Sequence, residues 1–295
     1  MSKIYSKEDV LILGGTGMLG ASLIPILEEN GHSVAIHGHV NAEKYNADLS
    51  EVGEAFRLLE IIKPSVIVNL VGLTDVDQCE AHPSDAFIVN VRSVENITAW
   101  IKSSSSPCHL IHISTDQVYD GSGLHKENDV TLTNYYAFSK YSGELAARNI
   151  DSTILRTNFF GCSHCNMRNS LTDWLFHALT TSEYIQVFED VLFNPLSMIT
   201  LSEFIGLTIH RKPLGVFNLG SQEGMSKADF AFAFADELNL STSTMKRTST
   251  DQVDFLKTYR PKDMRTECSK FESTLGVKLP SLNSEIKRVA REYNE

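Results

Sequence analysis

Several kinds of residue and segment are scarce in this sequence of 295 residues. Its five cysteines are too few for a disulfide-stapled scaffold. Basic side chains are outnumbered by acidic ones, which gives a net charge of −11, whereas nucleic-acid binders present a basic footprint. No apolar run approaches the roughly 18–20 residues that cross a bilayer. These scarcities exclude a disulfide scaffold, a membrane-spanning chain and an electrostatic nucleic-acid binder.

The start of the chain and the cysteines bear on location and metal binding. Charged residues run directly into the first apolar segment, without the apolar core of a secretion signal. We therefore expect a cytoplasmic protein with reduced thiols. Cys162 and Cys165 have the spacing of a zinc-ligand pair, but the sequence has no second pair of that spacing, so we expect no metal site.

The first half alternates short β-branched runs with longer amphipathic segments, the pattern of βαβ units around a parallel sheet. Predicted strands cover residues 10–13, 33–37, 66–70, 110–113 and 153–155, and predicted helices cover 18–30, 52–62, 84–101 and 136–147. We therefore predict an α/β fold, a Rossmann-type doubly wound parallel sheet, with a smaller C-terminal substrate-binding annex.

The second half is less regular. It has predicted helices over 170–180, 202–209 and 227–238, and a predicted strand over 216–219. Ser226 and Asp229 fit a capping box for the last helix, on which Phe230 and Phe234 are expected to pack in the core. We predict a dinucleotide-binding domain over 1–157, to which 200–240 returns, and a substrate-binding portion over 158–199 and 241–295.

A glycine-rich loop lies between the first predicted strand and helix. Glycines at 14, 17 and 20 permit a tight turn, a close approach to a pyrophosphate and close packing of the helix, whose N-terminus offers N–H donors to the anion. This context favours a dinucleotide site over a structural turn. The residues expected to contact the dinucleotide are Gly14, Thr16, Gly17, Met18, Leu19 and Gly20.

The end of the second predicted strand indicates which dinucleotide binds. An acidic residue usually holds the adenosine ribose there, whereas this chain has His37. Without that acid a 2′-phosphate is not repelled, so NADP(H) is favoured and NAD(H) stays open; the nearest base is Lys44. Asp48 and Leu49 are predicted to read the adenine edge, with a plain surface turn as the alternative.

A tyrosine and a lysine share one face of the helix predicted over 136–147. Tyr136 and Lys140 are four residues apart, so the ammonium can lie near the phenol. The strand before them ends at Ser114 and Thr115, where ligands of open α/β sheets bind. A Thr115 hydroxyl there can hydrogen-bond a carbonyl oxygen that Tyr136 protonates.

These features together resemble an extended short-chain dehydrogenase/reductase, and within it the dTDP-4-dehydrorhamnose reductase family. The similar stretches are GGTGMLG at 14–20, NLVGLTDVDQCE at 69–80, ISTDQVYDG at 113–121, YYAFSK at 135–140 and ILRTNFFG at 154–161. The resemblance implies that Thr115, Tyr136 and Lys140 form a catalytic triad. It also implies that the cofactor is lined by Leu70, Val71 and Gly72. The residues that it implies face the sugar are Thr74, Val76 and Asn158.

The sequence departs from the family pattern at several positions. Gln117 replaces the usual aromatic residue, and Asn158 with Phe159 occupies the place of a tryptophan. We expect Gln117 and Phe159 also to face the substrate. The glutamates that support a metal-linked dimer in some relatives are not evident after Gly20, so a homodimer stays open.

The resemblance implies reduction of a nucleotide-linked 4-keto-6-deoxyhexose in deoxysugar biosynthesis. Tyr136 would donate the proton, and Arg260 or Arg265 would meet the diphosphate of the nucleotide-diphosphate sugar. One alternative is an epimerase or dehydratase of the same superfamily, although Gln117 replaces the glutamate that dehydratases commonly place there. The other is a non-catalytic regulatory subunit resembling the methionine adenosyltransferase beta subunit.

Overall fold

The computed structural model describes residues 9–39, 42–165 and 168–294. Its strands are β1 Asp9–Leu13, β2 Ser33–Gly38, β3 Tyr45–Asn46, β4 Val66–Asn69, β5 His109–Thr115, β6 Ser152–Thr157, β7 Phe159–Phe160, β8 Ile185–Phe188, β9 Leu192–Phe193, β10 Leu196–Ser197, β11 Gly215–Leu219, β12 Met225–Ser226 and β13 Met245–Thr248. Its α-helices are α1 Met18–Glu29, α2 Val52–Ile62, α3 Val76–Ala81, α4 Pro83–Phe87, α5 Ser93–Ser103, α6 Tyr135–Ala147, α7 Leu171–Thr180, α8 Met198–Arg211, α9 Lys227–Glu237, α10 Ser269–Leu275 and α11 Leu282–Glu292.

Seven strands form one sheet in the order β11-β6-β5-β4-β1-β2-β3, and every neighbouring pair is parallel. The strand order reverses between β1 and β4, so the crevice at their carboxyl ends is where an open α/β sheet binds ligands. Helices α1, α8 and α10 contribute to the apolar layer on one face, and α2, α5 and α6 to the layer on the other. The predicted doubly wound parallel sheet is confirmed.

A second apolar core lies outside the sheet. Helices α7, α9 and α11 contribute to it together with β8 and β13, which pair in parallel. Phe230 and Phe234 are fully buried there, as expected from their spacing. Helix α8 and β11 pack with the sheet, while α9 packs in the second core. The domain boundaries stay a prediction, because buried residues of 241–295 contribute to both cores.

The helix predicted over 84–101 is interrupted. Helices α4 and α5 are joined by a π-helical turn over Ile88–Arg92. Helix α6 passes so close to this turn that a Cβ on Gly143 would lie 2.4 Å from the Asn90 carbonyl oxygen. Single π-helical turns inside helices occur frequently at functional sites. The prediction of one regular helix was therefore wrong at this turn, which lies against α6.

Helix α8 begins before and ends after its predicted range. Strands β5 and β6 are longer than predicted and end at Thr115 and Thr157, which lie opposite each other in the sheet. The short strands β3, β7 to β10, β12 and β13 have no predicted counterpart. Across the described residues no helix is long and apolar enough to cross a membrane.

Candidate functional site

The glycine loop makes a tight turn between β1 and α1. Gly14 has φ +75°, a left-handed conformation that suits glycine, and its N–H donates to His37 Nδ1 at 3.4 Å. A Cβ on Gly20 would lie 2.2 Å from the Gly15 carbonyl oxygen, so only glycine allows α1 to pack this closely. Gly17 caps α1 without a side-chain hydrogen bond, and the first turn of the helix has no acidic residue. The loop therefore leaves the N–H groups of α1 directed at the crevice for an anion.

Two adjoining cavities occupy the crevice. The glycine-loop cavity, of about 510 Å³, is lined by Gly14, Thr16, Gly17, His37, Asp48, Leu49, Leu70, Val71 and Gly72 among others. The Tyr136 cavity, of about 260 Å³, is lined by Met18, Leu19, Gly20, Thr74, Thr115, Gln117, Tyr136, Lys140, Asn158 and Phe159 among others. Both linings include Gly14, Gly17, Leu70 and Gly72, so the cavities meet beside the glycine loop. The structure thus brings almost all predicted site residues to one crevice.

Val76, predicted to face the sugar, lies outside both cavities. It is buried in a small apolar cluster with Cys79, Ala86 and Tyr136, and it lines neither cavity. Its contact with the site therefore passes through the ring of Tyr136, which it helps to hold. A sugar-facing role for Val76 rests on the resemblance alone.

The adenosine end of the glycine-loop cavity contains His37 and Asp48. His37 is buried, and its Nε2 hydrogen-bonds the Ala47 carbonyl oxygen at 3.0 Å. Burial lowers the pKa of His37, so the ring is neutral near neutral pH. The Asp48 carboxylate accepts hydrogen bonds from the Ser50 hydroxyl and N–H at 2.7 and 2.9 Å, which lower its pKa. His37 therefore adds no positive charge at the place where the usual acid is missing.

Lys44, the base nearest to this end in sequence, contacts a different group. Its ammonium lies 4.8 Å from the centre of the Tyr45 ring, and Lys44 does not line the glycine-loop cavity. The preference for NADP(H) thus rests on the missing acid rather than on a cationic clamp from Lys44.

Thr115, Tyr136 and Lys140 meet at the carboxyl end of β5. Asn134 caps α6 by accepting the Ala137 N–H, which fixes where the helix begins. The Tyr136 hydroxyl hydrogen-bonds the Thr115 side chain. The Lys140 ammonium donates to the Ile113 carbonyl oxygen at 2.8 Å and would lie 3.6 Å from a Cβ on Gly72. All three side chains are buried yet line the Tyr136 cavity.

Burial shifts the proton affinity of these groups in opposite directions. It raises the pKa of Tyr136, a rise that the hydrogen bond with Thr115 opposes and nearby Asp116 increases. It lowers the pKa of Lys140 to about 8, while Glu144 one turn further along α6 opposes the fall. At neutral pH the pair is therefore a neutral phenol and an ammonium, which can donate a proton and stabilise the anion left behind.

Asp116 connects the carboxyl ends of β5 and β6 in the Tyr136 cavity. It is buried, and it accepts a hydrogen bond from Asn158 Nδ2 at 2.8 Å and a long one from the Thr115 hydroxyl at 3.3 Å. Burial raises the pKa of Asp116 to about 6, and the ammonium of Lys227 opposes this rise. Lys227 is half-buried at the start of α9. Sequence reasoning gave Lys227 no role, because the capping pattern around it explains the helix without its charge.

Asn90 is a second residue that sequence reasoning left without a chemical role. Its amide oxygen accepts the Leu73 N–H at 2.8 Å, and its amide nitrogen donates to the Leu73 carbonyl at 3.0 Å and to Ser139 Oγ at 2.9 Å. It therefore fixes the segment after β4, including Gly72, against α6. An amide in an otherwise apolar helical stretch was the only signal for it.

The expected meeting of Arg260 or Arg265 with a diphosphate has no support in the structure. Arg260 pairs with Asp77 at 2.9 Å, and Arg265 pairs with Asp263 at 2.7 Å. Neither arginine lines the two cavities. Arg260 is thus paired with a carboxylate far away in sequence, and Arg265 with one two residues away. Their contact with a diphosphate stays a prediction.

The cysteine pair lies on the loop between β7 and α7. Cys162 donates its N–H to Glu292, and the Cys165 thiol donates to the Thr16 carbonyl oxygen at 3.4 Å. Within the described ranges, no three His, Cys, Asp or Glu side chains are grouped to hold a metal. The pair therefore contacts the glycine loop through Cys165.

Comparison with known proteins gives the crevice a family. The RmlD substrate binding domain model matches residues 8–295. A dTDP-4-dehydrorhamnose reductase of Aggregatibacter actinomycetemcomitans is 30% identical over 244 residues, covering 77% of this chain and 78% of that protein. The solved dTDP-4-dehydrorhamnose reductase of Yersinia enterocolitica is 26% identical with a TM-score of 0.86, covering 97% of this chain and 100% of the other.

A structure from Bacillus anthracis, described as a dTDP-4-dehydrorhamnose reductase in complex with NADP, is 23% identical. Its TM-score is 0.87 over 97% of this chain and 100% of that one, a likeness that shows the fold. Because the family match spans nearly the whole chain, this protein belongs to the RmlD substrate-binding-domain family.

Proposed function

We propose that this protein is an NADPH-dependent oxidoreductase that reduces the 4-keto group of a nucleotide-linked 6-deoxyhexose. The observation that carries the proposal is the meeting of Thr115, Tyr136 and Lys140 in a cavity that adjoins the glycine loop. The phenol of Tyr136, the ammonium of Lys140 and the hydroxyl of Thr115 thus lie beside the glycine-loop cavity. The relatives that are named as dTDP-4-dehydrorhamnose reductases support the same substrate class.

The crevice fits a nicotinamide dinucleotide. Gly14 has a positive φ, and a Cβ there would lie 3.1 Å from the Val71 backbone nitrogen, so a larger side chain would be strained and would crowd the segment after β4 that lines the cavity. The N–H groups at the start of α1 would hold the diphosphate, and the Lys140 ammonium would hold the nicotinamide ribose. When bound, the reduced nicotinamide supplies the hydride that the sugar carbon receives.

The side chains of the triad then handle the proton. The Thr115 hydroxyl, which accepts the Gln117 N–H at 3.1 Å, is positioned to hydrogen-bond the keto oxygen. The Tyr136 hydroxyl donates its proton to that oxygen as negative charge develops on it. The Lys140 ammonium, held by the Ile113 carbonyl, stabilises the phenolate that remains. Such acid catalysis contributes roughly 10²–10⁴-fold to a rate.

Polar groups at the far side of the Tyr136 cavity are suited to sugar hydroxyls. The Gln117 amide oxygen is buried and has no hydrogen-bond partner among the described residues. A buried acceptor without a partner is costly unless a ligand supplies the donor. We therefore assign Gln117 to a sugar hydroxyl, with Asn158 and Thr74 lining the same cavity.

The test measures NADPH oxidation against dTDP-, UDP- and GDP-linked 4-keto-6-deoxy sugars, with NADH run in parallel. Tyr136→Phe should lower the rate by about 10²-fold or more, because the proton donor is lost. The matched control is Tyr135→Phe, since Tyr135 is 45% exposed and precedes it in the same helix. Both variants should keep the affinity for NADPH. A Tyr136→Phe rate near that of the wild type would contradict the proposal.

The same preparation separates the alternatives. An epimerase or dehydratase returns the hydride to its substrate. Tightly retained NAD⁺ without net NADPH oxidation would therefore indicate one of these enzymes instead of a reductase. No turnover with any sugar, together with a stoichiometric complex with a synthetase, would indicate a regulatory subunit instead.

A further inference from the structure

Arg168 stands where the two cavities meet. It is exposed, and it belongs to the lining of both the glycine-loop cavity and the Tyr136 cavity. Its Nη1 donates a long hydrogen bond of 3.4 Å to Thr74 Oγ1. Its position therefore places a permanent positive charge over the middle of the crevice, opposite the glycine loop.

The chain that carries Arg168 is anchored to the second core. The Cys162 N–H donates to Glu292 at 3.1 Å, and the Ser163 N–H donates to Asp173 at 3.2 Å. The Ser163 hydroxyl donates to the Arg168 carbonyl oxygen at 2.7 Å. Cys165 meanwhile contacts the Thr16 carbonyl across the crevice. Arg168 thus reaches the glycine loop from the substrate side of the molecule.

The glycine loop itself lacks a cation. The lining of the glycine-loop cavity contains one carboxylate, Asp48, and one guanidinium, Arg168. Its two histidines are His37, which burial holds neutral, and His39. The α1 N-terminus contributes about half a unit of positive charge, which offsets only part of the negative charge of a dinucleotide diphosphate. Arg168 is therefore placed to supply the missing charge.

We propose that Arg168 binds the diphosphate of the nicotinamide dinucleotide from the substrate side of the crevice. The proposal rests on the proposed function only in requiring that a dinucleotide occupy the crevice. The side chain is free to turn, because its contact with Thr74 is long and uncharged. A planar guanidinium suits the paired oxygens of a diphosphate.

The experiment compares wild type, Arg168→Gln and Arg168→Lys for binding of NADPH, NADH and dTDP, each alone, by fluorescence or calorimetry. Arg168→Gln should weaken NADPH and NADH equally, by about 10-fold, because one charge-assisted hydrogen-bonding group is lost. Arg168→Lys should recover part of the affinity, and dTDP binding should not change. Arg211→Gln, at an exposed arginine outside both cavities, is the control.

Each other outcome overturns the assignment. Weaker NADPH with unchanged NADH would place Arg168 at the 2′-phosphate, and weaker dTDP with unchanged dinucleotides would place it at the substrate diphosphate. Equal affinities in all variants would leave Arg168 without a binding role. A wild type that binds dinucleotide but reduces no keto sugar would contradict the proposed function only, whereas a wild type that binds no dinucleotide would contradict both.

Discussion

Two polar regions meet at the carboxyl ends of β5 and β6, and they differ in how buried charge is compensated. The rear network consists of Ser114, Tyr119, Glu144, Arg156 and Asn218. There Glu144 accepts from Ser114 Oγ at 2.6 Å and from Arg156 at 2.6 and 2.8 Å. Arg156 also donates to the Tyr119 hydroxyl at 2.7 Å, which donates to Asn218 at 2.6 Å. In the ion pair between Arg156 and Glu144, both side chains are fully buried.

The cleft group consists of Thr115, Asp116, Tyr136 and Lys140. These side chains are also buried, but their charges are compensated less completely, so burial shifts the pKa of Asp116 to about 6 and of Lys140 to about 8. A fully compensated network holds the sheet edge rigid, and a partly compensated group keeps proton affinities suited to chemistry. The site therefore has incompletely compensated charges that lie beside a network whose buried charges are paired.

The largest effect should come from breaking the rear network. Glu144→Gln leaves the buried Arg156 guanidinium without its carboxylate, so we expect a loss of about 3–5 kcal/mol in the free energy of unfolding. Urea denaturation measures it. Glu203→Gln removes the half-exposed partner of Arg288 and should cost at most about 1 kcal/mol.

Because Glu144→Gln is expected to be strongly destabilising, a second variant combines Glu144→Leu with Arg156→Met and so removes both charges together. The double variant should be more stable than Glu144→Gln, since no buried charge is left alone. A Glu144→Gln loss no larger than that of Glu203→Gln would remove the distinction between the two regions.

A smaller effect is expected in the cleft group, from Asp116→Asn. The raised pKa of Asp116 means that the folded state favours the protonated form. That stabilisation is complete below the unfolded pKa of 3.8 and is lost as pH rises through about 6. The asparagine cannot ionise, so relative to wild type the variant should gain about 1 kcal/mol between pH 5 and pH 8.

Thermal or urea unfolding at the two pH values measures this change, and comparing within one variant cancels any altered hydrogen bonding to Asn158. Asp129→Asn, at an exposed aspartate outside both cavities, controls for the loss of one negative charge. The opposite sign, with the variant losing relative stability as pH rises, would show that Asp116 is compensated like the rear network.

The smallest effect is expected for the ion pair between Asp77 of α3 and Arg260. Their side chains are 35% and 21% exposed, so solvent screens the pair. Asp77→Asn should therefore cost about 1 kcal/mol or less in unfolding free energy. Calorimetric unfolding of Asp77→Asn and Glu144→Gln measures both losses in unfolding free energy. Equal losses would show that the Asp77–Arg260 pair is as important for stability as the rear network.

Much of the fold could be predicted because its signals are local. The period of apolar residues indicated the strands and helices of the sheet, and helix α2 spans the predicted residues 52–62. The π-helical turn at Ile88–Arg92 could not be predicted, since the close approach of Gly143 from α6 accompanies it. The short strands outside the main sheet were missed because segments of two to four residues carry too little periodicity.

The candidate site divides in the same way. The glycine loop, the Tyr136–Lys140 spacing and the strand that ends at Thr115 could be predicted, because each depends on neighbours within one element. Which charges meet could not be predicted, because their elements come together only on folding. The tertiary structure paired Arg260 with Asp77, set Lys227 near Asp116 and brought Arg168 over the glycine loop. The physical reason is that Coulomb interactions depend on distances in space, which the folding of separate elements creates.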